Sequence, residues 1–194
     1  MATLQADEVV QRGGLWVTSA GRTVVDVART VPFEQAVVTA DAALATGKVD
    51  RAALDVALHA VVGWPGAPAA RRALAFADAG AESVGESRSR VAINKAGLPP
   101  PVLQWEVRDQ QGVSHWVDFG WPEFRTVGEF DGQIKYGRLL RPGEEPGDAV
   151  FREKVREDEI RATDLGMVRW IWDDLADFAP VAARLRERFR SRTS

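Results

Sequence analysis

The chain has no cysteine, which removes disulfides, thiolate zinc sites and cysteine nucleophiles from the functions open to it. It has only two histidines, His59 and His115, far apart in sequence, which argues against a polyhistidine metal centre. No apolar run approaches the roughly 20 residues that cross a bilayer. The opening MATLQADEVVQRGG is too polar for a signal peptide. These absences point to a soluble, cytoplasmic protein with no membrane partner. Charge of one sign is also scarce. Against 28 acidic side chains stand 25 basic ones, a formal net charge of −3, so any attraction to nucleic acid has to come from a local basic surface. What remains is ordinary globular composition, 45% hydrophobic and 27% charged over 194 residues. That is enough for one domain, or one domain plus a smaller appendage.

The first sixty residues read as short helices. Residues 15–18 form a small apolar, extended piece, and residues 23–29 one or two helical turns. Apolar residues at Phe33, Ala36, Val37, Ala40 and Leu44 recur three and four apart, which predicts a helix closed by Gly47. Asp50 then stands as the N-cap of a helix over residues 51–60. The stretch GWPGAP, residues 63–68, is the best linker, so the expected boundary separates a helical module over 1–63 from a domain over 64–194. Helices are expected at 69–79 and 82–96, parted by Gly80. The run GLPPP, starting at Gly97, cannot be helical. After it the pattern changes to strands at 102–107 and 113–119 around a turn at 109–112. A third strand follows at 125–130, a charged helix at 149–163, a fourth strand at 167–172 and a final helix at 180–190. The second half is therefore α/β with a mixed sheet flanked by helices. Five of the seven tryptophans lie in it, to be read as core or as a base-stacking platform.

The stretch HWVDFGWPEFRTVGEFDGQIKY, from His115 to Tyr136, carries the chemistry. Alternation puts Val127, Glu129 and Asp131 on one strand face. If the preceding strand pairs with this one, Asp118 comes close to Glu129. Two carboxylates that close repel unless a cation neutralises them. Magnesium accepts one or two carboxylates, keeps waters and completes its shell with phosphate oxygens. There it activates water and stabilises the departing oxygen of a phosphodiester. Lys135 could add a charge to the developing phosphorane, and Glu86 is a fourth acidic candidate from the preceding helix. The bland alternative makes Asp131-Gly132 a turn, with Asp118 and Glu129 on a solvated sheet face.

These residues resemble the PD-(D/E)XK nuclease superfamily. Asp118, then Glu129-Phe130-Asp131-Gly132 and Lys135, after a helix carrying Glu86, looks closest to the branch of the very-short-patch-repair endonucleases. The tail VREDEIRATDLGMVRWIW is similar to that branch's closing helix and strand. The strings TSAGRTVVDVAR, WPGAPAARRALAFAD, ESRSR, GLPPP and KYGRLLRPGE are similar to actinobacterial abortive-infection type IV antitoxin family proteins. Those usually carry a winged-helix DNA-binding domain ahead of this region. The resemblance implies Mg2+ or Mn2+ held by Asp118 and Glu129 with Asp131 assisting, and Glu86 and Lys135 at the site. It also implies DNA as the partner, with a partner protein or a separate winged-helix chain possible. One departure is Asp131, which stands where the superfamily pattern has a lysine. An inactive scaffold that regulates by binding DNA or protein is the alternative the family also contains.

Basic candidates for phosphate contact are Arg88 and Arg90 beside Glu86, Lys154 and Arg161 on the charged helix, and Arg186 and Arg190 in the C-terminal arginine run. Each has a structural reading beside the functional one. Lys154, Asp158 and Arg161 make an ion-paired solvated stripe. Arginines also suit a helix C-terminus for dipole reasons alone. His115, next to Trp116, reads as a strand residue more readily than as a general base.

Overall fold

The structure is a computed structural model that describes residues 4, 5, 8–132 and 164–191. Those residues hold six helices and six strands in two compact units, Met1–Ser87 and Arg88–Ser194.

The first unit opens with a hairpin, β1 (Val9–Arg12) and β2 (Leu15–Thr18), of which the sequence pattern anticipates only the second strand. Its turn is Gly13-Gly14, at φ 55° and 81°, the left-handed pair whose twist suits a two-residue hairpin. Four helices follow. The Ser19 hydroxyl accepts from the Arg22 amide at the start of α1 (Ala20–Thr30). Pro32 precedes α2 (Phe33–Ala45), and Asp50 caps α3 (Arg51–Ala60) by accepting from the Ala53 amide at 2.8 Å. The bundle closes with α4 (Ala67–Phe76), whose Leu74 shares a core with Val25, Ala40, Leu54 and Val61. Arg51 donates to the carbonyls of Leu74 and Ala77 at the end of α4, and the buried Asp41 accepts from the Asp78 amide at 2.7 Å. These contacts seat α4 in the first unit, whereas the sequence pattern starts the second domain at Trp64. The GWPGAP stretch is packed rather than a free linker. The guanidinium groups of Arg22 and Arg29 each lie over the Trp64 ring, 4.9 Å from its centre. Gly66, at φ 80°, leaves no room for a side chain against the Arg29 carbonyl.

Helix α5 (Val84–Lys95) begins in the first unit and runs into the second. The second unit is built on a four-stranded mixed sheet in the order β3-β4-β5-β6. The first two pairings, among β3 (Val102–Arg108), β4 (Ser114–Trp121) and β5 (Thr126–Asp131), are antiparallel. β6 (Gly166–Ile171) runs parallel to β5. Helix α6 (Ala179–Ser191) buries Val181, Leu185 and Phe189 in the same core as Phe119, Trp121 and Trp170 of the sheet and Ile93 of α5. The mixed α/β architecture expected for this half is what forms. Trp121 and Trp170 are fully buried, and each indole N–H finds an acceptor at 2.8 Å, the Pro99 carbonyl and the Ser89 hydroxyl respectively. A buried indole with its one donor satisfied is a core residue.

Candidate functional site

The three carboxylates occupy adjoining strands. β4 and β5 pair at Trp121–Thr126, Gly120–Val127 and Phe119–Gly128, and the next rung in that register would join Asp118 to Glu129. The ladder stops there. Instead the Asp118 carboxylate reaches across and accepts from the Phe130 amide at 2.8 Å. On its other side Asp118 also interrupts a ladder. β3 and β4 pair at Leu103–Phe119 and again at Trp105–Val117, and between those rungs Gln104 takes a left-handed φ of 46°. The register is the same on both sides, so no residue is inserted, and the left-handed backbone at Gln104 marks where the side chains change face. Phe119 and Trp121 enter the large core, while Val117 joins Val107 and Val127 in a smaller cluster with Trp105 and Met167. Unbroken alternation along β4 would have put Val117 on the face of Phe119. The carboxylate of Asp118 thus sits where the strand changes phase.

Along β5, alternation sends Gly128 and Phe130 to the large core and Val127, Glu129 and Asp131 to the other face. Phe130 packs against that core and Val127 in the smaller cluster, as this requires. Glu129 is buried and Asp131 exposed. The parallel pairing sets Arg169 of β6 beside Glu129 and Ile171 beside Asp131. Arg169 was not among the candidates from sequence. The available signal was a single arginine at an alternate position of the otherwise apolar MVRWI.

The remaining candidates fare differently. Glu86 is buried at the start of α5, where its two oxygens accept from the Glu82 amide at 2.9 Å and the Ser83 hydroxyl at 2.7 Å. The Ser83 oxygen in turn accepts from the Glu86 amide at 3.1 Å. This is a form of the reciprocal serine–glutamate cap, a structural task for Glu86. Glu86 falls in the first unit, and Asp118, Glu129 and Asp131 in the second. Arg88 places its guanidinium 5.7 Å from the ring centre of Trp172, which packs perpendicular to the Phe130 ring. Arg90 is buried, which does not suit a surface phosphate contact. Arg186 donates to the Ala96 carbonyl at 2.5 Å, just past the end of α5, and Arg184 to the Arg169 carbonyl at 3.1 Å. Arg188 and Arg190 are exposed. Lys135, Lys154 and Arg161 lie outside the described residues.

His115 is buried and donates from Nε2 to Asp109 at 3.1 Å. The other Asp109 oxygen accepts from the Gln111 and Val113 amides at 2.8 Å each, closing the expected hairpin turn. The His115 bond, joined by those amides against the opposing effect of desolvation, holds the Asp109 carboxyl below the ordinary aspartate range. His115 therefore anchors a turn.

Among the described residues no three His, Asp or Glu side chains are grouped to hold a metal ion. A magnesium ion needs only one or two protein carboxylates when phosphate oxygens and water supply the rest. Asp118, whose carboxylate accepts from the Phe130 amide, and Glu129, the residue before Phe130 on β5, are the two carboxylates that would meet that smaller requirement. No helix among the described residues is long and apolar enough to cross a membrane.

No family model matches the chain, and no solved structure matches it. Two proteins of Mycobacterium tuberculosis, from strains CDC 1551 / Oshkosh and ATCC 25618 / H37Rv, are each 37% identical to it over 118 residues. Both are described as uncharacterized. The aligned stretch is 61% of this chain and 44% of each relative, so the chain spans less than half the length of the relatives it matches.

Proposed function

We propose that the protein is a divalent-metal-dependent nuclease that hydrolyses DNA phosphodiester bonds, with a PD-(D/E)XK-like sheet and a cytoplasmic location. One observation carries this reading. Asp118 stands at the break of two strand ladders, its carboxylate drawn against the backbone next to the buried Glu129. Irregular places in a sheet are over-represented next to active sites. Asp118 and Glu129 would hold Mg2+ or Mn2+, with the exposed Asp131 at the rim. The ion supplies an activated water and a charge for the departing oxygen. The chain's own residues hold the two acidic groups in place and exclude water from one side of Glu129. Lys135, carried from the sequence resemblance, would polarise the phosphate.

A second reading is favoured by the bond from the Phe130 amide, which already engages the Asp118 carboxylate. On it the protein is a non-catalytic, antitoxin-type regulator that binds DNA or a protein partner. The two separate in one assay. Supercoiled, linear and single-stranded DNA are incubated with the full chain and Mg2+ or Mn2+. Cleavage that disappears in both Asp118→Asn and Glu129→Gln supports the nuclease. Binding without cleavage under either metal supports the regulator.

A further inference from the structure

We propose that Arg169 is the resident cation of the carboxylate site, pairing with Glu129 in the metal-free protein and turning to a DNA phosphate once a metal ion occupies the carboxylates. The inference rests on the nuclease reading and extends it to a residue which that reading leaves unassigned.

Three observations carry it. First, Glu129 and Arg169 are register partners on adjacent parallel strands, so their side chains leave the same face. Strands lie about 4.8 Å apart, within reach of two side chains of this length. Second, Glu129 is buried, and a buried carboxylate is retained only with a compensating charge or a full set of hydrogen bonds. Among the described residues the sheet's strands carry two arginines, and Arg108 is exposed and bonded to Glu106 at the far end of β3. Arg169 is the one beside the site. Third, its strand position is fixed from behind, because the Arg169 carbonyl accepts from the Arg184 guanidinium at 3.1 Å.

The chemistry of the handover follows from charge. With a divalent ion held by Asp118 and Glu129, the Arg169 guanidinium would lose its counter-charge and be free to turn to a phosphate. A guanidinium released beside a metal-bound phosphate has a fork geometry suited to two phosphate oxygens. Arg169 is thus a positioning residue for the scissile phosphate.

The test uses the full chain and two measurements that do not depend on cleavage. Thermal unfolding in chelator is compared for the unmutated chain, Glu129→Gln, Arg169→Gln and the double variant. Each single variant should lose several degrees of melting temperature, and the double variant should lose less than the sum. Additive losses overturn the pairing. Duplex DNA binding is then measured by anisotropy over a salt series with Ca2+ present. The slope of log affinity against log salt should be shallower by about 0.9 in Arg169→Gln, one phosphate contact. An unchanged slope in a variant that still binds DNA overturns the handover and leaves a purely structural ion pair. If the unmutated chain binds neither metal by calorimetry nor DNA by anisotropy, the nuclease reading itself fails, and the handover with it. That outcome is visible before any variant is compared.

Discussion

The carboxylate of Asp118 accepts the Phe130 amide at 2.8 Å across the gap where β4 leaves β5. One side chain thereby takes the place of a backbone rung. Replacing Asp118 with alanine leaves a half-buried amide without its acceptor, which typically costs about 1–3 kcal/mol. Asparagine keeps an oxygen there and should cost far less. Urea unfolding of both variants checks the structural part, and metal titration by calorimetry checks the other. The nuclease reading requires Asp118→Asn to fold normally and lose the ion. Equal destabilisation by alanine and asparagine would mean that the hydrogen bond contributes through charge alone.

Gly128 of β5 faces the indole of Trp170. A Cβ built on Gly128 would lie 2.6 Å from one ring atom of Trp170 and 3.2 Å from Trp121. Both indoles are fully buried and fixed by hydrogen bonds, so neither can move aside at little cost. Gly128→Ala should therefore destabilise by about 1–3 kcal/mol, the usual range for overpacking a filled core. A urea midpoint equal to that of the unmutated chain would show that the aromatic layer has slack the geometry does not reveal.

The Asp109–His115 bond predicts an acid limb of stability. A carboxylate held below its ordinary range stabilises the folded chain above that range and ceases to do so as acid protonates it. For Asp109 the contribution is fully present above about pH 4, the ordinary aspartate value, and is lost as pH falls further towards the folded value. Asp109→Asn should lower the urea midpoint at pH 5. The difference should shrink on going below about pH 4. A difference that persists undiminished to the acid end would assign the effect to turn geometry alone.

Much of this fold is legible in the sequence, for identifiable reasons. Helices α2 and α3 follow from apolar spacing plus the punctuation of Gly47 and Asp50, and both are local signals. The β3–β4 hairpin follows from alternation around a turn that Asp109 closes with its own side chain. Three features escape such reasoning. The first is the phase change at Asp118, because alternation assumes unbroken rungs and the break depends on Gln104, fourteen residues away on another strand. The second is the seating of the GWPGAP stretch. Glycine and proline mark a loop in sequence, and only the contacts of Trp64 with that unit's core and with Arg22 and Arg29 make that loop part of it. The third is Glu86, whose acidity suggested a ligand. Ser83, three residues earlier, was the local clue that it caps a helix instead. Arg169 was missed for a related reason, since its neighbour Glu129 becomes visible only with the parallel register of β5 and β6.

The C-terminal arginines look alike in sequence and differ in the fold. Arg186 bonds the Ala96 carbonyl at the end of α5, and Arg184 bonds the Arg169 carbonyl, so both serve the packing of α6. Arg188 and Arg190 are exposed on the same helix. If the protein binds duplex DNA through this helix, the phosphate contacts belong to those two. Each phosphate neutralised contributes about −0.9 to the slope of log affinity against log salt, so the Arg188→Gln, Arg190→Gln double variant should be shallower by about 1.8. Arg186→Gln should leave the slope unchanged and instead lower stability by about 0.5–1.5 kcal/mol, the net worth of one hydrogen bond. Fluorescence anisotropy over a salt series and urea unfolding on the same samples read both effects. Loss of slope in Arg186→Gln, with none in the double variant, would reverse this division. The DNA would then have to lie against the end of α5 rather than against Arg188 and Arg190.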